Sequence, residues 1–146
     1  MKEAIDTLRD ILDKEACRLS NLSETESETV PASGKWSKKQ ILGHLIDSAA
    51  NNHHRFVRAQ LGDALVFPAY SQEQWVSVQN YQSEAWSQLV TLWTSYNRHL
   101  AHLMASIPEV KRNRRCFIGN QPPVSLEFLV QDYVRHLRHH LDQILG

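Results

Sequence analysis

Residues 125–146 read SLEFLVQDYVRHLRHHLDQILG, and their spacing decides the fold. On a helix with a seven-residue repeat, Leu126, Tyr133 and His140 share one seam position, and Leu129, His136 and Gln143 share the other. Val130, Val134, Leu137, Leu141 and Ile144 widen that seam into a core-facing stripe. Two histidines therefore stand where a packed bundle ordinarily takes leucine. Four residues apart, they lie about one turn apart on one face, near enough for two imidazoles to share an ion. His139 falls to the edge of the stripe, as a solvated or supporting group.

Working outward, three further long helices are legible. The first spans roughly residues 2–22, with Ile5, Leu8, Leu12, Leu19 and Leu22 near helical spacing. Residues 23–34, SETESETVPASG, are polar and turn-rich and read as a linker. The second helix has a marked start: Ser37 as cap, Gln40 three residues on as in a capping box, and Trp36 placed to staple onto Ile41. It runs to about Leu61, where Gly62-Asp63 stops it. Residues 63–80 form an excursion with one helical turn after Ser71, whose Phe67, Tyr70 and Trp75 fold back onto the bundle as a lid or a dimer contact. The third helix spans roughly 83–107 on the stripe Trp86, Leu89, Trp93, Tyr96, Leu100, Leu103 and Ile107, and Pro108 ends it. A basic connection with turn residues Gly119 and Pro122-Pro123, and room for a short hairpin, leads to the last helix. No long β-alternating run appears. The pattern is an all-α four-helix bundle, one domain over residues 1–146.

Composition excludes several classes. Sixteen basic and sixteen acidic residues leave no net charge, so the electrostatic footprint of a nucleic-acid binder is missing. No apolar run is long enough for a membrane span. Acids throughout the first helix speak against a signal or transit peptide. Two cysteines, Cys17 and Cys116, far apart and without CxxC spacing, fit a reduced, cytoplasmic chain. Histidine, eight in all, is the informative departure.

On the second helix Ile41, His44, Ser48, Asn51 and Arg55 form a polar line beside the stripe Leu45, Ala49, Asn52 and Phe56. A polar line bordering a core stripe suits a cavity wall. If this helix neighbours the last, His44 faces His136 and His140. Three neutral imidazoles leave coordination positions open, as catalytic sites do. Imidazole suits Zn, Ni, Cu or Fe, and a metal so held lowers the pKa of a bound water or thiol and polarises an electrophile. The competing reading makes these histidines hydrogen-bonded core groups in a non-catalytic, stress-related binding module. A carboxylate-bridged di-iron site is excluded, because no Glu lies three residues before a His. Asp47 and Asn51, one and two turns from His44, are candidate supports or substrate contacts, and Arg55 can pair with an anionic substrate or a surface acid. Lys111, Arg112, Arg114 and Arg115 read as a solvated loop or as an anion-gathering mouth. His53 and His54 are open between solvent and support of the site; His99 and His102 read as solvated.

At these residues the chain resembles the DinB-like superfamily, and its YfiT-like branch in particular. The resemblance rests on Trp36-Ser37 followed by ILGHLIDSAANNHHRF, on PAYSQEQW at residues 68–75, and on SLEFLVQDYVRHLRHHLDQI at the end. It implies an up-down-down-up bundle and a divalent metal, Zn, Ni or Fe, held by His44, His136 and His140. It further implies a small-molecule substrate and a homodimer. Members include transferases and isomerases dependent on mycothiol, bacillithiol or glutathione, and proteins classed as metal-dependent hydrolases without a known substrate. The YfiT-like excursion favours thiol transfer over hydrolysis. Six residues follow His140, so a C-terminal extension shaping the pocket is not expected.

Overall fold

Apolar stripes on four long helices close on one another in the computed structural model, which describes residues 1–146. The elements are α1 (Lys2–Ser20), α2 (Glu24–Glu28), α3 (Lys38–Leu61), β1 (Ala64–Phe67), α4 (Gln72–Gln79), α5 (Trp86–Ala105), β2 (Arg115–Ile118), β3 (Val124–Ser125) and α6 (Leu126–Leu145). Buried apolar residues from α1, α3, α5 and α6, with a few from the connections, form one continuous core around the fully enclosed Trp93, Phe56, Leu8, Leu100 and Leu137.

Contacts between helix ends fix the directions. The Trp86 indole at the start of α5 donates to the Leu19 carbonyl at the end of α1 (2.8 Å), so these two run antiparallel. Lys38, at the start of α3, reaches the Ile144 carbonyl near the end of α6, which makes that pair antiparallel too. The amino terminus of α1 pairs with Glu127 in the first turn of α6 (2.5 Å), and Ser37 bonds Gln82 beside the start of α5 (2.6 Å). Hence α1 and α6 point one way and α3 and α5 the other: an up-down-down-up four-helix bundle.

Local chemistry sets the ends. Ser37 Oγ accepts from the Gln40 amide (3.2 Å) and Gln40 Oε1 from the Ser37 amide (2.9 Å), the reciprocal box that satisfies two otherwise orphaned donors. Ser125 Oγ accepts from Phe128 N (3.1 Å) and starts α6. The connections hold more structure than their polarity announces. Within residues 23–34 a second box, Ser23 with Glu26, nucleates the short α2. It docks through Glu24 and Glu28 onto the buried ammonium of Lys39. At the far end of α3, β1 pairs in parallel with β2, which pairs antiparallel with β3 to complete a small sheet over the bundle. Gly43 lets the excursion lie close to α3, because a Cβ there would stand 2.2 Å from the Tyr81 ring.

Candidate metal centre

The capped start of α3 places His44 in its second turn, on the face turned to α6. Since α6 runs antiparallel, His136 and His140 arrive opposite it one turn apart. One ring nitrogen from each of the three histidines lies within 4.8 Å of the others, and His44 Nε2 stands 3.1 Å from His136 Nε2. His44 is buried and the other two are half-buried. The Trp36 ring packs against His44 at 5.4 Å.

Electrostatics keep the cluster neutral at pH 7. Burial, with repulsion from the neighbouring imidazoles, pushes His44 and His136 down to about 4 from the ordinary 6.5. His140 is lowered as well, chiefly by burial. Neutral imidazole is the ligand form.

The donor set fits a cation. His140 Nδ1 lies 2.8 Å from Gln143 Oε1, while Gln143 Nε2 meets His139 at 3.3 Å. An amide oxygen only accepts, so Nδ1 carries the proton and the lone pair of His140 sits on Nε2. Between the Nε2 atoms of His44 and His136 there is room for one proton, and the buried His44 Nδ1 has no partner of its own. The other lone pairs, His140 Nε2 among them, converge on the same point, and a divalent ion there would take all three imidazoles as ligands on displacing that proton.

Two cavities adjoin the cluster. One, of about 410 Å³, has His44 and His136 in its wall together with Ser48, Asn52, Arg55 and Asp132. The other, of about 660 Å³, is bounded by His140, Gln143, Trp36 and Ile41. Gln72 and Glu73, at the start of α4, line both and form the partition.

The remaining candidates divide. Arg55 lines the first cavity, but Asp47 and Asn51 line neither. Asp47 turns to the excursion, where its Oδ1 accepts from Tyr81 OH (2.6 Å) and Gln79 Nε2 (2.7 Å), and burial raises its pKa. Asn51 donates to the Asp47 carbonyl (2.9 Å). Asp47 thus braces the partition from behind, while the Asn51 bond stays within α3. Asn52, which the periodicity assigns to the apolar stripe, takes the cavity position instead: from Ser48, a step of three or of four residues stays on one helix face. Tyr70, Gln72 and Glu73 belong to the PAYSQEQW stretch, but their proximity to the histidines appears only once the excursion folds back; Gln143, one turn from His140 on α6, is legible as a seam position and not as a site residue.

The other histidines and cations lie apart from the cluster. His53 meets the Tyr96 hydroxyl (3.0 Å), and His54, His99 and His102 are exposed. Lys111 donates to the Gln60 carbonyl (2.9 Å), Arg114 pairs with Asp63 (3.0 Å), and neither they nor Arg112 and Arg115 line the two cavities. Cys17 is exposed; Cys116 is enclosed, its thiol pushed up to about 11 by burial.

Comparison with known proteins settles the lineage. Residues 5–144 match the sequence profile of the DinB superfamily. The chain belongs to the DinB superfamily. Among relatives, a protein of Geobacillus thermodenitrificans is 24% identical over all of this chain and 83% of its own length. One of Bacillus mycoides is 22% identical over 96% of this chain and 80% of its own. Each is provisionally named a metal-dependent hydrolase. Among solved structures, YfiT from Bacillus subtilis, provisionally assigned as a metal-dependent hydrolase with an unusual four-helix bundle topology, superposes with a TM-score of 0.84. It is 20% identical, over 98% of this chain and 82% of that one. A mycothiol-dependent maleylpyruvate isomerase superposes at 0.78 with 13% identity, over 98% of this chain but 60% of that longer one. At these identities the DinB fold is what the superpositions share. No helix of this DinB-superfamily protein is long and apolar enough to cross a membrane.

Proposed function

We propose that the chain is a metal-dependent enzyme that transfers a low-molecular-weight thiol, such as bacillithiol, to a small electrophile. His44, His136 and His140 would hold one divalent ion, Zn, Ni or Fe. When bound, such an ion lowers the pKa of a thiol or water and polarises an electrophile.

The observation that carries this reading is the pair of cavities. Hydrolysis asks for one organic substrate and water, whereas thiol transfer asks for two organic substrates meeting at one centre. Here two compartments adjoin one histidine cluster, each within the size range of small-molecule sites. The chain's own residues supply orientation and proton traffic. Burial holds the Tyr70 hydroxyl protonated, a donor in the wall of the first cavity. Glu73, shared by both cavities, is the carboxylate placed to receive the thiol proton as the S–C bond forms and the leaving group departs with its electron pair. Asp47, through Tyr81 and Gln79, keeps the α4 partition in place. The mycothiol dependence of the isomerase points the same way. Cytoplasmic location, read from the unpaired cysteines, and a homodimeric assembly, implied by the family resemblance, belong to this reading.

Hydrolysis is the second reading, favoured by the names given to the relatives. Protein loaded with Zn, Ni or Fe, assayed with bacillithiol, glutathione or mycothiol against monobromobimane, and separately with activated esters lacking any thiol, separates the two. The thiol reading expects conjugation that falls about 100-fold or more in His136→Ala. Ester turnover without thiol, and no catalysed conjugation, would replace it with the hydrolase reading.

A further inference from the structure

Arg55 is a cation without an anion. It lines the 410 Å³ cavity that reaches His44 and His136, and its Nε is buried with no hydrogen-bond partner. It takes part in none of the chain's ion pairs. Asp132, the carboxylate facing the same space from α6, is held by Arg135 at 2.5 Å. Glu73 lies at the partition, by the histidines. The Phe67 ring sits 5.5 Å from the guanidinium carbon, a stacking contact that leaves the in-plane N–H edge free. Burial lowers the pKa of Arg55, as it does for a charge short of solvent. A half-buried guanidinium whose enclosed Nε has no partner presents a free donor edge, a bidentate receptor for a carboxylate, and no carboxylate of the chain bonds it.

The helix also fixes the distance. His44 and Arg55 are eleven residues apart on α3, a rise of about 16 Å. Side chains lean toward the helix N-terminus, so the long Arg55 chain reaches back along the cavity and shortens that span. We propose that Arg55 anchors a carboxylate carried by the substrate of this cavity, roughly 10 Å from the atom that reacts at the histidines. The substrate class is therefore an elongated acid whose reactive end and carboxylate lie at opposite ends of the molecule. A short thiol acid cannot engage both. This rests on the reading of the histidine cluster as the reaction centre.

The test uses the full chain loaded with cobalt and two matched pairs of thiols: 3-mercaptopropionate beside 3-mercaptopropanol, and 8-mercaptooctanoate beside 8-mercaptooctanol. Calorimetry at pH 7 reads affinity, and the visible cobalt spectrum reads whether sulfur reaches the centre. The expected result is that the long acid binds about ten-fold more tightly than the long alcohol, a preference absent from the short pair. Arg55→Gln should erase that preference, and Arg55→Lys should keep part of it. Equal binding of the long acid and alcohol by wild type, or a preference that survives Arg55→Gln, overturns the anchor. Should Arg55→Gln not fold, the wild-type pairs and Arg55→Lys decide alone. Acid preference without a cobalt spectral change upholds the anchor and overturns the thiol reading, and a spectral change without acid preference does the reverse.

Discussion

The two antiparallel helix pairs of the bundle share a geometry and differ in what fills them. Between α1 and α5 the core receives Leu8, Leu12, Leu19, Leu89, Trp93 and Leu100, all enclosed, and the polar link named above is the Trp86 indole on the Leu19 carbonyl. Between α3 and α6 the facing positions carry His44, Ser48 and Asn52 against Asp132 and His136, with a cavity of about 410 Å³ in place of packed side chains. A cavity, with one buried and two half-buried imidazoles, is destabilising on its own. The dry pair supplies the stability that lets the wet pair hold this arrangement. Stability and binding should then separate by helix pair.

The largest stability effect is expected from the dry side. Leu100→Ala should cost about 2–5 kcal/mol in denaturant unfolding, with cavity and lost contacts both contributing, and leave metal stoichiometry untouched. A loss of bound metal in folded Leu100→Ala would break the separation.

A second effect belongs to the wet side and depends on pH. His44 and His136 titrate near 4 when folded and near their ordinary 6.5 when unfolded. Between those values the unfolded chain takes up protons that the folded one refuses. The stability of metal-free protein should therefore be full above about pH 6.5 and fall toward pH 4, by a few kcal/mol for the coupled pair. His44→Leu should flatten that slope in unfolding curves measured across the window. An unchanged slope would mean that other groups carry the acid sensitivity.

The smallest effect concerns the start of α6. Ser125→Ala removes the acceptor for Phe128 N and should cost about 1 kcal/mol in unfolding free energy, without moving metal affinity, because the cap lies eleven residues from His136. A drop in metal affinity would show that the first turn of α6 helps to set the histidines.

The bundle was legible because its signals are local. The Ser37–Gln40 box, the seam of residues 126–144 and the terminators Gly62 and Pro108 each act within a few residues. One local signal was masked by composition: Ser23 and Glu26 form the same kind of box inside a stretch polar enough to pass for a linker, and the ion pair that docks α2 on Lys39 is not local. The β2–β3 hairpin fits the room that the turn residues left for one, but the pairing of β1 with β2 was out of reach for a different reason. Strands β1 and β2 are four residues each and lie some fifty residues apart in the chain, so nothing near either announces the other. At the site, helical spacing could place His44, His136 and His140 on facing stripes, but it could not choose between Asn51 and Asn52. It also gave no way to see that Asp47 turns away to Tyr81, a partner on the excursion.

The most direct test of the account is the metal content of untagged protein by elemental mass spectrometry, wild type beside His140→Ala. The account expects about one Zn, Ni or Fe per chain in wild type, lost in a variant that keeps its helicity. No stoichiometric metal in wild type even after reconstitution, or full occupancy in His140→Ala, would contradict it and return the three histidines to a structural role.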